Sequence, residues 1–330
     1  MNFYRHIIRP ALFCLDAEKA HHVAMGALRL VPPAVLQFSF SQPRVSPTRA
    51  FGLTFPNRVG LAAGMDKNAI ALPAWEALGF GFVEVGTVTA HPQPGNEKPR
   101  CFRYPDQSAL INRMGFNNEG AIAIAARLAT LRSTGRWPKI PVGINLGKSK
   151  ITPLADAAGD YAASYRHLLA FGDYFVINVS SPNTPGLRTL QDPESLLRIV
   201  EALRNIDATR PLLVKIAPDL SDDAVQEMAV LAQKNSLDGV IATNTTLDHS
   251  AVAHAADELG GLSGSPLRAR ATEVVRLLRT TCDLPIIASG GIMSAEDGAE
   301  KLAAGACLVQ IYTGFVYRGP QLIGELARLT

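Results

Sequence analysis

The chain has two textures that meet near residue 50. In the first, Phe3, Tyr4, Ile7, Ile8, Ala11, Leu12 and Leu15 recur at helical spacing, with Arg5, His6 and Arg9 between them. Pro10 should start, kink or break that helix. Asp16 is placed to cap a second helix running to about Leu30, with Ala20, Val23, Ala24, Ala27 and Leu28 on one face. Val31-Pro32-Pro33 ends it, and the segment to Pro47 reads as a short apolar piece and a linker. After Ala50 the period changes. Short apolar runs, mostly ending in Gly, Asn, Ser or Thr, alternate with helical stretches: Val59–Gly64, Val83–Val88, Pro141–Gly147, Tyr174–Ser180, Leu212–Ala217, Gly239–Asn244, Pro285–Gly290 and Leu308–Thr313. Near-continuous apolar strands separated by helices are parallel strands buried on both sides. Eight such units predict an α/β fold, a (β/α)8 TIM barrel, in preference to an open doubly wound sheet. The expected division is a small N-terminal helical extension, residues 1–49, and a barrel domain, residues 50–330. Phe51–Arg58 is expected to form a hairpin or plug before the first barrel strand. The stretches after the second and sixth strands are the longest and should carry insertions on the catalytic face.

Charge sharpens this division. The net charge of +3 over 330 residues is too small to suggest nucleic-acid binding. It is unevenly spread: residues 1–49 hold six basic residues (Arg5, Arg9, Lys19, Arg29, Arg44, Arg49) and two acidic ones (Asp16, Glu18), hence +4, leaving −1 for the remainder. From pattern alone, a helical hairpin packed on the core is the commoner fate of such a segment, and a basic amphipathic patch on a membrane surface is the alternative. A hydrophobic content of 47% with 18% charged residues excludes a disordered chain. The four cysteines, Cys14, Cys101, Cys282 and Cys307, lack metal-binding spacing and are too few for a disulfide scaffold, so no metal and a reducing cytosol are expected. The opening residues do not read as a signal peptide, and no apolar run is long enough to span a bilayer.

Two tempting motifs fail. Gly143 and Gly147 have three residues between them where a P-loop needs four, and Gly79-Phe80-Gly81 precedes a strand instead of opening a helix. The strand ends are the stronger signal. Lys67, Thr87, Asn145, Asn178, Ser181, Lys215, Thr243-Asn244-Thr245, Gly290-Gly291 and Tyr312-Thr313-Gly314 follow or close the eight strands. A buried Asn or Lys is costly unless it meets a partner. Any one of them could be an ordinary cap or turn; eight strand ends converging on one mouth are a site. Gly290-Gly291 and Thr313-Gly314 sit where this barrel type cradles a phosphate. The Ser180–Arg188 loop, rich in hydroxyls and amides and stiffened by Pro182 and Pro185, reads as a substrate lid.

These residues resemble a known family. Ala62-Ala63-Gly64-Met65-Asp66-Lys67, Asn112-Arg113-Met114-Gly115-Phe116-Asn117-Asn118, Ser180–Gln191, Lys215-Ile216-Ala217-Pro218-Asp219, Ala242–Thr246 and Gly260–Gly264 are similar to stretches of the dihydroorotate dehydrogenases of class 2, the quinone-linked, membrane-associated type. The resemblance covers essentially the whole chain. It implies FMN, lined by Ala62, Ala63, Gly64, Met65, Asp66, Thr87, Asn145, Asn178, Lys215, Thr243, Gly264, Gly291, Tyr312 and Thr313. It implies dihydroorotate or orotate held by Lys67, Asn112, Arg113, Met114, Gly115, Phe116, Asn178, Asn183, Asn244 and Thr245. A lysine suits the carboxylate of such a ligand, and asparagine amides satisfy both edges of its ring. Ser181 corresponds to the catalytic base of class 2, where class 1 uses cysteine. Lys215 would stabilise charge on the reduced flavin, a contribution of about 3 kcal/mol. The resemblance also reverses the reading of the N-terminus. The two helices become an apolar tunnel for a membrane quinone, with His21 and Arg103 near it, peripheral on the cytoplasmic face of the cell membrane and held to anionic lipid by a few basic residues. The alternatives are a related flavin barrel that uses another pyrimidine, fumarate or NAD, and a non-catalytic flavin-binding barrel.

Overall fold

The computed structural model describes residues 3–40, 45–252 and 258–329; part of the expected linker before Pro47 lies outside them. Eight parallel strands close a barrel: β1 (Val59–Leu61), β2 (Phe82–Val88), β3 (Val142–Leu146), β4 (Tyr174–Asn178), β5 (Leu212–Ile216), β6 (Gly239–Ala242), β7 (Ile286–Ser289) and β8 (Leu308–Ile311). Consecutive strands are neighbours, and β8 returns to pair with β1 through Val309–Val59 and Ile311–Leu61. Every residue of the eight strands is buried, because helices cover the outer face and side chains fill the inner one. Glycines make that filling possible: a Cβ on Gly60 would lie 2.2 Å from the Phe82 ring, and one on Gly143 would lie 2.1 Å from Tyr174.

The expected plug is a hairpin, Thr48–Ala50 paired with Leu53–Phe55. It begins before residue 50, so the barrel's first element straddles the expected boundary. Ala50 and Phe55 close the N-terminal end of the barrel against Phe82, Tyr174, Leu213 and Ile287. At the opposite end the two long insertions meet. Cys101–Tyr104 and Ala109–Asn112, after β2, form an antiparallel sheet with Gly261–Gly264, after β6.

The N-terminal segment packs on this end. Tyr4–Ile8 and Arg9–Phe13 are helical, with Pro10 in the first turn of the second piece. Tyr4 Oη donates to Val316 O at 2.7 Å, and Arg9 to Tyr317 O at 3.2 Å. The helix Ala17–Leu30 starts at Asp16, whose carboxylate accepts from the Glu18 and Lys19 amides. Pro33–Ser39 forms a third short helix. Among the described residues no helix is long and apolar enough to cross a membrane.

Candidate active site

The C-terminal mouth of the barrel rests on a buried polar network. Asn145 Nδ2 donates to Glu84 Oε1 at 2.7 Å, and Gln310 Nε2 donates to Glu84 Oε2 at 2.6 Å. Above them, Asn145 Oδ1 accepts from Thr87 Oγ1 at 2.6 Å and from Asn178 Nδ2 at 3.0 Å. Asn178 Oδ1 accepts from Ser180 Oγ at 3.0 Å, and Ser180 Oγ accepts from Asn244 Nδ2 at 2.9 Å. Amides and hydroxyls on or just after β2, β3, β4 and β6 thus hold each other in fixed orientations. Two groups in this layer stand apart: Gln310 Oε1, buried without a partner, and Lys215. Its buried ammonium lies 3.9 Å from Glu84 Oε1 and has no hydrogen-bond acceptor among the described residues.

This network floors a cavity of about 1090 Å³, its open mouth included. One wall holds Ala62, Ala63, Gly64, Thr87, Lys215 and Thr243; another holds Gly264, Ser289, Gly290, Gly291, Tyr312 and Thr313. The rest of the lining includes Lys67, Asn112, Met114, Gly115, Phe116, Asn178, Ser181, Asn183, Asn244 and Thr245. Burial pushes the Lys67 ammonium down to about 8; its Nζ donates to Gly64 O at 2.7 Å. Asn183 Nδ2 donates to Asn112 Oδ1 at 3.2 Å, and the Asn183 amide donates to Ser181 Oγ at 3.2 Å. Arg188 pins the loop that carries them: it donates to Ser180 O at 3.0 Å and Thr245 O at 3.0 Å and pairs with Asp219 at 2.7 Å.

A second cavity, of about 620 Å³, opens between the N-terminal helices and the barrel rim. Leu12, Phe13, Ala17, Ala20, Ala24, Met65, Phe315 and Val316 make it largely apolar, with His21 and Arg103 as its polar members. Burial, then the charges of Lys67 and His22, pull His21 down to about 3, so its imidazole is neutral. Arg103 donates to the carbonyls of Leu12, Phe13 and Leu15 and stacks 4.5 Å over the Phe13 ring. Cys101, Leu110 and Tyr312 line both cavities.

Residues 46–328 match the family model for dihydroorotate dehydrogenase. The chain belongs to the dihydroorotate dehydrogenase family. Within it the chain sits with the quinone-dependent class. It is 54% identical to a dihydroorotate dehydrogenase (quinone) of Salinispora arenicola, over 98% of each chain. It is 52% identical to the corresponding protein of Chloroflexus aurantiacus, over 99% of this chain and 95% of the relative. Among solved structures it is similar to a ligand-free dihydroorotate dehydrogenase of Eimeria tenella, with a TM-score of 0.86 at 38% identity, covering 95% of this chain and 94% of that one. The family's eight-stranded barrel is the fold that the strand pattern predicts.

Most of the residues expected to hold flavin or substrate line the first cavity, but four do not. Asn145 acts one layer below, through Thr87 and Asn178. Met65 faces the second cavity. Asp66 is buried under the rim, where it accepts from the Ile70 and Ala71 amides and from Trp75 Nε1. Arg113 turns away to pair with Glu258 at 2.7 Å and to stack 4.7 Å over Phe102. Sequence reasoning passed over Glu84 and Gln310. Each is a polar residue inside an apolar strand, the same signal that singled out Asn145 and Lys215.

Proposed function

We propose that this chain oxidises dihydroorotate to orotate, with FMN as hydride acceptor and a membrane quinone as the final oxidant, in pyrimidine biosynthesis. The observation that carries this reading is the pair of adjoining cavities, one of mixed lining rich in amides, hydroxyls and lysines and one largely apolar, divided by the thin wall of Cys101, Leu110 and Tyr312. The first cavity fits FMN on its donor set: the Lys215 ammonium, whose one ion-pair partner is 3.9 Å away, the amides of the mouth, and Gly264 and Gly291 at positive φ where a side chain would be strained. Ala62, Gly64, Thr87, Lys215, Thr243, Gly291 and Thr313 would hold it, with Asn145 and Asn178 behind. Bound there, FMN would supply a hydride acceptor for the substrate and a reductant for the quinone.

The chain's own residues do the rest. Lys67 answers the substrate carboxylate, while Asn112, Asn183 and Asn244 satisfy its ring donors and acceptors. Ser181 Oγ takes the proton from C5, next to the ring carbonyl. Its burial beneath the lid keeps bulk water away, and the Asn183 amide fixes the oxygen's position. Lys215 would stabilise the negative charge that the bound cofactor gains on accepting a hydride. In the second cavity, His21 and Arg103 present polar groups to a quinone head among apolar walls.

Membrane contact follows the same division. Phe3, Ile7, Val23, Leu30, Val35 and Phe38 are exposed on the N-terminal helices, with Phe38 at 92%. With Arg5, Lys19 and Arg29 nearby, they support peripheral attachment to an anionic surface on the cytoplasmic face, at roughly 1 kcal/mol per basic residue. The reading is tested by mixing the flavin-loaded protein anaerobically with dihydroorotate, then offering ubiquinone, fumarate or NAD. Bleaching followed by reoxidation with quinone is expected. No bleaching, or reoxidation by fumarate or NAD alone, would refute it.

A further inference from the structure

We infer that Glu84 is a positioning residue that sets the charge balance beneath the bound flavin, through Lys215 and Asn145. This rests on the FMN reading above and deepens it. Glu84 is fully buried on β2, between Val83 and Val85, where a third apolar side chain would complete the packing at less cost. Removing a carboxylate from water is expensive unless its charge is answered. Here Asn145, Gln310 and Lys215, from β3, β8 and β5, answer it. Each hydrogen bond to Glu84 comes from a donor, so it serves as acceptor only. Two effects follow, and they are separable. The first is positional: by holding the Asn145 amide, Glu84 aims Asn145 Oδ1 at Thr87 and Asn178 in the cavity floor. The second is electrostatic: its negative charge offsets Lys215, the cation that would otherwise pull the flavin toward its reduced, anionic form.

The structure shows how the two effects can be pulled apart. In Glu84→Gln, the new carbonyl can keep the bond from Asn145, whose own orientation is locked by Thr87 and Asn178. The new amide then faces Gln310, whose Oε1 is buried without a partner. A half-turn of the Gln310 amide lets that oxygen accept. The hydrogen bonds survive and the charge goes. Tyr174, whose phenol burial and then Glu84 keep protonated, adds no charge to this layer.

The test measures the two-electron reduction potential of bound FMN by dye-equilibrated spectroscopic titration, with FMN affinity by fluorescence, for wild type, Glu84→Gln and Glu84→Asp. For a unit charge acting across on the order of 10 Å at an effective dielectric of about 20, the expected shift is on the order of tenfold toward reduced flavin in Glu84→Gln. That is ~30 mV in the positive direction for a two-electron couple. Its FMN affinity should stay within about threefold. Glu84→Asp keeps the charge and shortens the reach, so its potential should stay within about twofold of wild type in equilibrium terms while FMN affinity falls. An unchanged or more negative potential in Glu84→Gln overturns the inference. Should that variant not retain FMN, Glu84→Asp decides: weaker binding at the wild-type potential supports it, and a moved potential overturns it. Loss of FMN from both variants, with wild type loaded, makes Glu84 a purely structural pillar and also overturns it. A wild-type protein that takes up no FMN sinks the cofactor reading itself.

Discussion

Replacing Glu18 by glutamine removes one charge from the joint between the second N-terminal helix and the insertion after β2. Glu18 is 5% exposed, and Arg100 grips it with Nη2 at 2.7 Å from Oε1 and Nε at 3.1 Å from Oε2. Lys98 approaches to 3.4 Å. Burial alone would raise this carboxyl, but the hydrogen bonds and charge of Arg100, helped by Lys98, hold it down to about 2 from 4.5. At about 1.4 kcal/mol per unit, the difference corresponds to about 3 kcal/mol of stability. Because the folded-state value is depressed, that contribution is complete above about pH 4.5 and is lost as the pH falls toward 2. Glu18→Gln also leaves the Arg100 guanidinium buried without its counter-charge, the arrangement that makes breaking a buried pair costly. With an unfolding entropy of about 2.1 cal/mol/K per residue, 3 kcal/mol corresponds to a fall in Tm of ~4 °C at pH 7. Thermal unfolding followed by circular dichroism at pH 7, 4 and 3 should show the gap between the two proteins narrowing with acidity. A gap below about 1 kcal/mol at pH 7, or one that stays constant toward pH 3, would refute the reasoning. Replacing both partners by methionine should recover most of the loss.

Three further outcomes are expected. Ser181→Ala should slow bleaching by dihydroorotate by about 10²- to 10⁴-fold while leaving quinone reoxidation nearly intact, as stopped-flow absorbance would show; equal losses in both halves would contradict the role of Ser181. Lys67 loses its proton above about pH 8, so KM for dihydroorotate should rise there. Orotate binding at pH 8.5 should also take up a proton, visible by calorimetry in two buffers of different ionisation heat, and no uptake would remove Lys67 from the carboxylate. His21 stays neutral down to about pH 3, so quinone reoxidation should show no step between pH 5 and 8 that disappears in His21→Asn; finding one would place a charged imidazole in the tunnel.

The barrel is legible in the sequence because parallel strands buried on both sides must be apolar nearly throughout, and their polar residues therefore stand out. The span of the second helix is legible for a local reason too, since Asp16 and Val31-Pro32 mark its two ends. The sheet of Cys101–Tyr104, Ala109–Asn112 and Gly261–Gly264 is not. It joins two insertions far apart in the chain, and no local period encodes that pairing. Arg113 shows the limit of reading a motif as a unit. Strand alternation sends Asn112 toward the cavity and its neighbour outward to Glu258, although the two adjoin in sequence. Asp66 is a related case. Its spacing to Ile70, Ala71 and Trp75 serves the start of a short helix, a structural duty hidden inside a run that otherwise faces the cavity.

The small antiparallel sheet over the barrel mouth has a kinetic consequence. Cys101 and Leu110 belong to its strands and touch both chambers, while Asn112 lines only the inner chamber and Arg103 only the outer one. On the proposed reading, reductant and oxidant would occupy different chambers and need never displace one another. Orotate should compete with dihydroorotate and not with quinone, and blockers of the two chambers should be able to occupy one molecule together. Each chamber could then be reshaped for a different reactant without retuning the other, because a single layer of shared side chains, Cys101, Leu110 and Tyr312, keeps the two steric problems apart.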